Sequence, residues 1–183
     1  MIDVEYNDEV FQMKNKLSEI TIEELEYIMF TLSRTDKNIF TKWMDIMIVL
    51  HLNPIVVDNM ELDSFLKLSL AVELNTDLSE LTKEIEIDGV IYSLYQGEKF
   101  SLKMKELKAI ESLIEGSEFY FCKLCAALYK CDSKYIVGTP KEHNDMKIEF
   151  FKNQPASIVV PILNIVNQTL IKKINLIISG GIN

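Results

Sequence analysis

IEIDGVIYSLYQGEKFSLKMKELKAIESLIEGSEFYFCKLCAALYKC, residues 85–131, decides the fold class. Ile85, Ile87, Val90 and Ile91 flank Asp88-Gly89. An Asp-Gly pair between β-branched runs predicts a hairpin, because both central positions of a type I′ turn need φ > 0. Two strands alone are marginal in water, so this hairpin needs something to pack on. Gln96-Gly97-Glu98 ends its second strand. Ser101 then stands where a helix N-cap belongs, before LKMKELKAIESLIEG. Leu102, Met104, Leu107, Ile110, Leu113 and Ile114 recur at three-to-four spacing, and Gly116 suits the position past the helix end. A second helix is predicted over residues 117–131, apolar on more than one face through Phe119, Tyr120, Phe121, Leu124, Cys125 and Leu128.

Working outward, residues 4–13 read as another short hairpin with Asn7-Asp8 in the turn. Residues 17–33 read as a helix capped by Ser18 or Thr21, with Glu19, Glu23 and Glu24 at its positive end. Its apolar stripe is Ile22, Leu25, Ile28, Met29 and Leu32. A turn at 34–38 leads to an apolar helix over 39–52 that holds the only tryptophan, Trp43. Asn53-Pro54 ends it. A helix over 60–74 and a polar turn at 75–77 come next.

The two halves repeat. Asn7-Asp8 and Asp88-Gly89 are 81 residues apart, and the same offset places Phe40, Trp43, Met44 and Met47 on Phe121, Leu124, Cys125 and Leu128. One inserted residue aligns Glu24, Leu25 and Ile28 with Glu106, Leu107 and Ile110. Internal duplication explains this order; two unrelated α+β pieces are the alternative. The expected fold is α+β and mostly helical. It has two similar halves, each a short β-hairpin followed by helices, over residues 1–80 and 81–183. Trp43 and Leu124 are expected to be buried at equivalent positions.

The second half continues with a loop at 132–139 and a helix opened by Pro140. Pro155 opens a final apolar helix reaching residue 178, which Pro161 should either kink or confine to the residues after it. Ile158, Ile162, Ile165, Val166, Thr169 and Ile174 are the interface candidates, because so large an apolar surface rarely stays bare on a monomer.

The 183 residues are enough for a real core. Hydrophobic residues make up 48% and charged residues 26%, ordinary for a folded domain. The net charge of −9 argues against a nucleic-acid partner, which needs a basic face for phosphates. The first ten residues lack the basic and apolar blocks of a secretory signal. Residues 158–178 carry Asn164, Asn167, Gln168, Lys172 and Lys173, too many polar groups for a membrane span.

No phosphate-binding loop, dinucleotide fingerprint or nucleophile elbow occurs in the sequence. Cys122-x-x-Cys125 has the spacing of a metal or redox pair, and a zinc site would need two more ligands, such as Cys131 and His143. The pair lies in an apolar helical run, where cysteines serve as small buried residues. Three cysteines within ten residues suit a reducing compartment better than a disulfide framework. His51 and His143, the only histidines, adjoin no serine or cysteine motif along the chain. No catalytic residue, cofactor or metal is therefore expected.

The layout resembles small tail and baseplate-hub proteins of contractile-tailed bacteriophages. Three stretches carry the resemblance: the strand pair before the SLKMKEL helix, the FYFCKLCAALYKC helix, and KEHNDMKIEFFKNQPASIVVPIL. It covers mainly residues 85–170 and is one of packing, so no functional residue carries over. It implies a non-enzymatic protein–protein interaction module, either a virion structural component or an assembly chaperone. The implied partners are other protein subunits, self-association included, and the implied location is the host cytoplasm or the virion. The alternative is a small cytosolic enzyme or ligand-binding domain without a recognisable motif.

Overall fold

The computed structural model describes residues 1–72, 80–94, 120–136, 138–164 and 166. They fall into two compact units, one of residues 1–72 with 155–157 and the other of the remainder. The fold is α+β, with antiparallel sheets of two and three strands among the described residues and helices filling most of the rest.

The first unit opens with β1 (Ile2–Tyr6) and β2 (Glu9–Met13), paired from Ile2↔Met13 to Tyr6↔Glu9. Asn7 and Asp8 carry φ of 51° and 63°, so the two-residue loop is type I′. Strand alternation turns Val4 and Met13 inward. Helix α1 (Ile22–Ser33) starts later than the apolar pattern suggests. Thr21 and Glu24 form a capping box: Glu24 N–H donates to Thr21 Oγ1 at 3.1 Å, and Thr21 N–H donates to Glu24 Oε2 at 2.7 Å. Leu17 and Ile20 are buried before the helix rather than in it.

Helix α2 (Ile39–Val49) stops short of the expected residue 52 because its end is a Schellman motif. His51 takes φ 73°, its N–H reaches Ile48 O at 3.0 Å, and Leu52 N–H reaches Met47 O at 3.0 Å. Leu52 and Met47, the apolar pair that accompanies this motif, are both buried. Asn53-Pro54 ends one helix and begins another. Asn53 Oδ1 accepts from Ile55 N–H at 2.9 Å, and α3 (Pro54–Asn59) comes next with Pro54 in its first turn. Helix α4 (Leu62–Ala71) completes the run. Residues 155–157 join this unit through a bridge between Thr21 and Pro155 and a 2.8 Å bond from Ala156 N–H to Ile20 O.

The second unit opens with β3 (Glu84–Ile87) and β4 (Val90–Leu94), turned by Asp88 and Gly89 at φ 50° and 77°. Helix α5 (Tyr120–Leu128) ends before the residue 131 that the sequence pattern suggests. Its apolar run continues as a strand, β5 (Tyr129–Lys130), which pairs with β4 through Ser93↔Lys130 and Leu94↔Tyr129. Tyr129 is fully buried, and its hydroxyl donates to Thr82 O at 2.6 Å. Helix α6 (Pro140–Lys152) opens on a second capping box between Thr139 and Glu142. Gly138 just before it has φ 77°, and a Cβ there would lie 2.8 Å from Glu142 Oε2, so both conformation and space require glycine.

Past the 3₁₀ turn Ala156–Ile158 the backbone is helical at 159–164. Pro161 therefore sits in a first turn, where no amide donor is missed, and no kink is needed. The helix expected after Ser101 and the turn at 75–77 lie outside the described residues.

Candidate functional site

Unit 1 leaves much apolar side chain in the open. Thirteen of the sixteen large apolar side chains exposed among the described residues belong to it. Helix α1 buries Ile22, Leu25 and Ile28, but Met29 and Leu32 of the predicted stripe are 50% and 39% exposed. Tyr27 and Phe30 are more than half exposed on the same helix. Lys42 Nζ donates to Leu32 O at 2.8 Å, which holds the end of α1 against the start of α2. There Ile39 and Phe40 are also exposed, and the Phe40 ring lies 6.2 Å from that of Phe65 on α4. Trp43, expected in the core, is only half-buried on α2, where Ile46 and Met47 take the fully buried positions.

A polar hub fixes the other end of α1. Lys14 Nζ donates to both Glu24 carboxylate oxygens at 2.8 and 2.9 Å, and His51 Nε2 lies 2.7 Å from Glu24 Oε1. Lys14 N–H donates to Leu50 O at 2.9 Å. One carboxylate thus joins the hairpin, the N-terminus of α1 and the C-terminus of α2. Burial raises the Glu24 pKa, but hydrogen bonds from Lys14, Thr21 and His51 outweigh it and hold the carboxyl below its ordinary value. Every group in the hub has a structural partner, and its plainest role is to lock these three elements together.

Unit 2 contains a second titratable cluster. His143, on the first turns of α6, stacks on Tyr92 of β4 with ring centroids 5.7 Å apart. His143 Nε2 lies 3.4 Å from the Tyr92 hydroxyl and 3.9 Å from Cys131 Sγ. One turn further along α6, the buried Lys147 ammonium donates to Ala126 O and Tyr129 O, completing the end of α5 as a cation at the negative pole of a helix. Burial, then the hydrogen bond to Cys131, pushes the Tyr92 hydroxyl up to about 12. Burial, then the Lys147 charge, lowers His143 and keeps its imidazole neutral. Burial likewise lowers Lys147. The site holds a thiol, a neutral base, a phenol and a cation.

No family model matches the chain, and neither a curated protein nor a solved structure does.

Cys122 and Cys125 lie fully buried in α5, away from the Cys131–His143 contact. No group of three or more His, Cys, Asp or Glu side chains that could hold a metal occurs among the described residues. The histidines, remote from any cysteine motif along the chain, are not equivalent in the fold: His143 meets Cys131, and His51 meets Glu24. Tyr92 and Lys147 were not legible as site residues, because only tertiary packing brings them to Cys131.

The interface candidates are not exposed where they are described. Ile162 and Val166 are buried and Ile158 is half-buried, while Ile165, Thr169 and Ile174 lie outside the described residues. Among the described residues most of the open apolar surface is on unit 1, and it includes Met29 and Leu32, whose periodicity reads as core. No described helix is long and apolar enough to cross a membrane.

Proposed function

We propose that the chain is a non-enzymatic protein–protein interaction module that binds other subunits through apolar side chains left exposed on α1 and α2 of unit 1. The exposure of Tyr27, Met29, Phe30, Leu32, Ile39 and Phe40 on two joined helices carries this reading. Large exposed apolar patches on folded proteins mark interaction surfaces, and aromatic side chains supply the anchors of such interfaces. The net charge of −9 favours a protein partner over nucleic acid. The resemblance to tail and baseplate-hub proteins of contractile-tailed phages supports a role in virion assembly, as a structural subunit or a chaperone, in the host cytoplasm or the virion.

The test is affinity purification of the wild-type chain and a Tyr27→Glu/Phe30→Glu variant from the same producing cells, with mass spectrometry of the proteins that co-purify. Light scattering on each protein reads self-association. A variant that stays folded should lose the partner or the higher mass. Retention of every partner and of the same mass would sink the proposal. A structural subunit is then recovered at fixed copy number in purified particles, and a chaperone is absent from them.

A further inference from the structure

Cys131, His143, Tyr92 and Lys147 come from three separate parts of unit 2: the segment after β5, helix α6 and strand β4. We propose that Cys131 is a thiol–disulfide exchange site that takes small-molecule disulfides, with His143 relaying the thiol proton. This is independent of the interaction-module reading.

The geometry supplies what the reaction needs. Thiolate, not thiol, is the nucleophile in exchange, so a base within reach of the sulfur sets the rate. His143 Nε2 is at 3.9 Å. The imidazole is 8% exposed and stacked on Tyr92, and its helix is pinned by the Thr139–Glu142 capping box, so the ring is held in place. Of the three thiols, Cys131 alone has access to solvent, since Cys122 and Cys125 are fully buried. The charged and titratable groups facing the sulfur are His143 and Lys147 from α6 and Tyr92 from β4; Asp88 acts on Tyr92 and Lys130 on Lys147 from further away. The Tyr92 hydroxyl lies 3.4 Å from the same Nε2 and also hydrogen-bonds Cys131, so it sits between base and thiol.

The step balances. With its proton on Nδ1, His143 accepts the Cys131 proton at Nε2. The thiolate attacks one sulfur of the incoming disulfide. The new Sγ–S bond forms as the old S–S bond breaks, and the departing thiolate takes the proton back from the imidazolium. Cys131 is oxidised to a mixed disulfide and half of the small disulfide is reduced to a thiol.

The experiment exposes the folded protein to oxidised glutathione at several pH values and tracks the adduct by intact mass and peptide mapping. The expected result is one adduct per chain, on Cys131, that Cys131→Ser abolishes. His143→Gln should slow it about tenfold near neutral pH, less than a positioned base usually contributes because a free thiol is already a few per cent ionised there. Adducts shared among the three cysteines of the folded chain would overturn the proposal, as would a folded His143→Gln protein reacting at the wild-type rate. If His143→Gln does not fold, the wild-type chain decides: a Cys131 rate no faster than that of free cysteine with the same disulfide at neutral pH overturns the proposal.

Discussion

The two hairpins share a turn and an inner face but not their surroundings. Asn7-Asp8 and Asp88-Gly89 both place two residues at positive φ, and Val4, Tyr6, Phe11 and Met13 stand 81 residues before Ile85, Ile87, Tyr92 and Leu94. In unit 1 the sheet remains two-stranded among the described residues, and Phe11 is half-buried. In unit 2 a third strand, β5, pairs with β4, and Tyr92 is fully buried. The same contrast runs through the helices α2 and α5. Leu124 is fully buried, whereas Trp43 at the matching position is half-buried. Among the described residues, similar local patterns therefore bury most apolar positions of unit 2 and leave many of unit 1 open, which is why the interaction surface is proposed on unit 1.

The largest expected effect tests that asymmetry. Leu124→Ala should cost about 3 kcal/mol, in the usual range for a buried leucine. Trp43→Ala should cost about 2 kcal/mol, because a partly exposed ring loses less buried area than a fully buried one. Hydrogen exchange read separately at amides of α2 and α5 measures both. Equal losses would mean that the two helices are equivalently packed and would remove the argument for an open unit 1.

The hairpins were legible because their turn chemistry is local: a pair such as Asp88-Gly89 accepts two positive φ values and few other sequences do. The capping boxes were not legible as such, although TIEE at 21–24 and TPKE at 139–142 have the Thr-x-x-Glu spacing: the sequence reading leaves the first cap open between Ser18 and Thr21, and it places the second helix from Pro140 alone. Nor was the end of α5 legible. Tyr129 and Cys131 fit an apolar helix as well as a strand, and pairing with β4, some thirty-five residues back, decides between them. The exposure of Met29 and Leu32 was hidden for a similar reason. Periodicity identifies which side of a helix is apolar, not whether anything covers it. The meeting of His143 with Cys131 likewise needs the whole of unit 2.

Acid should separate the units through different groups. His143 in unit 2 has a lowered pKa, so below its ordinary value of 6.5 the unfolded chain binds a proton that the folded chain refuses. Unit 2 therefore loses stability as pH falls through 6.5 toward the folded value, and His143→Gln should flatten that limb. Glu24 in unit 1 also has a lowered pKa, from an ordinary 4.5, and its contribution is full above that value and lost as pH falls through the folded one. At neutral pH Glu24→Gln should cost about 2 kcal/mol, the scale of a buried charge-assisted hydrogen-bond set. Exchange at the amides of each unit, tracked from neutral to acid, should show unit 2 loosening first. A reversed order would mean that the acid sensitivity of unit 1 does not come from Glu24.

The smallest effects concern the turns themselves. Both centres of a type I′ loop lie in the left-handed region, where a Cβ meets the next carbonyl. Asp8 at φ 63° bears that cost, while Gly89 at φ 77° avoids it. Nothing lies within 4 Å of a Cβ added at Gly89, so a substitution there tests conformation without a clash. Gly89→Ala should therefore destabilise by about 1 kcal/mol, and Asp8→Gly should stabilise by about half that, since the looser glycine backbone offsets part of the relief. Thermal melts of the two single variants measure these opposite signs. Matching signs would mean that the two loops, alike in φ, are not equivalent turns, and the repeat at offset 81 would then reduce to apolar periodicity shared by two unrelated hairpins.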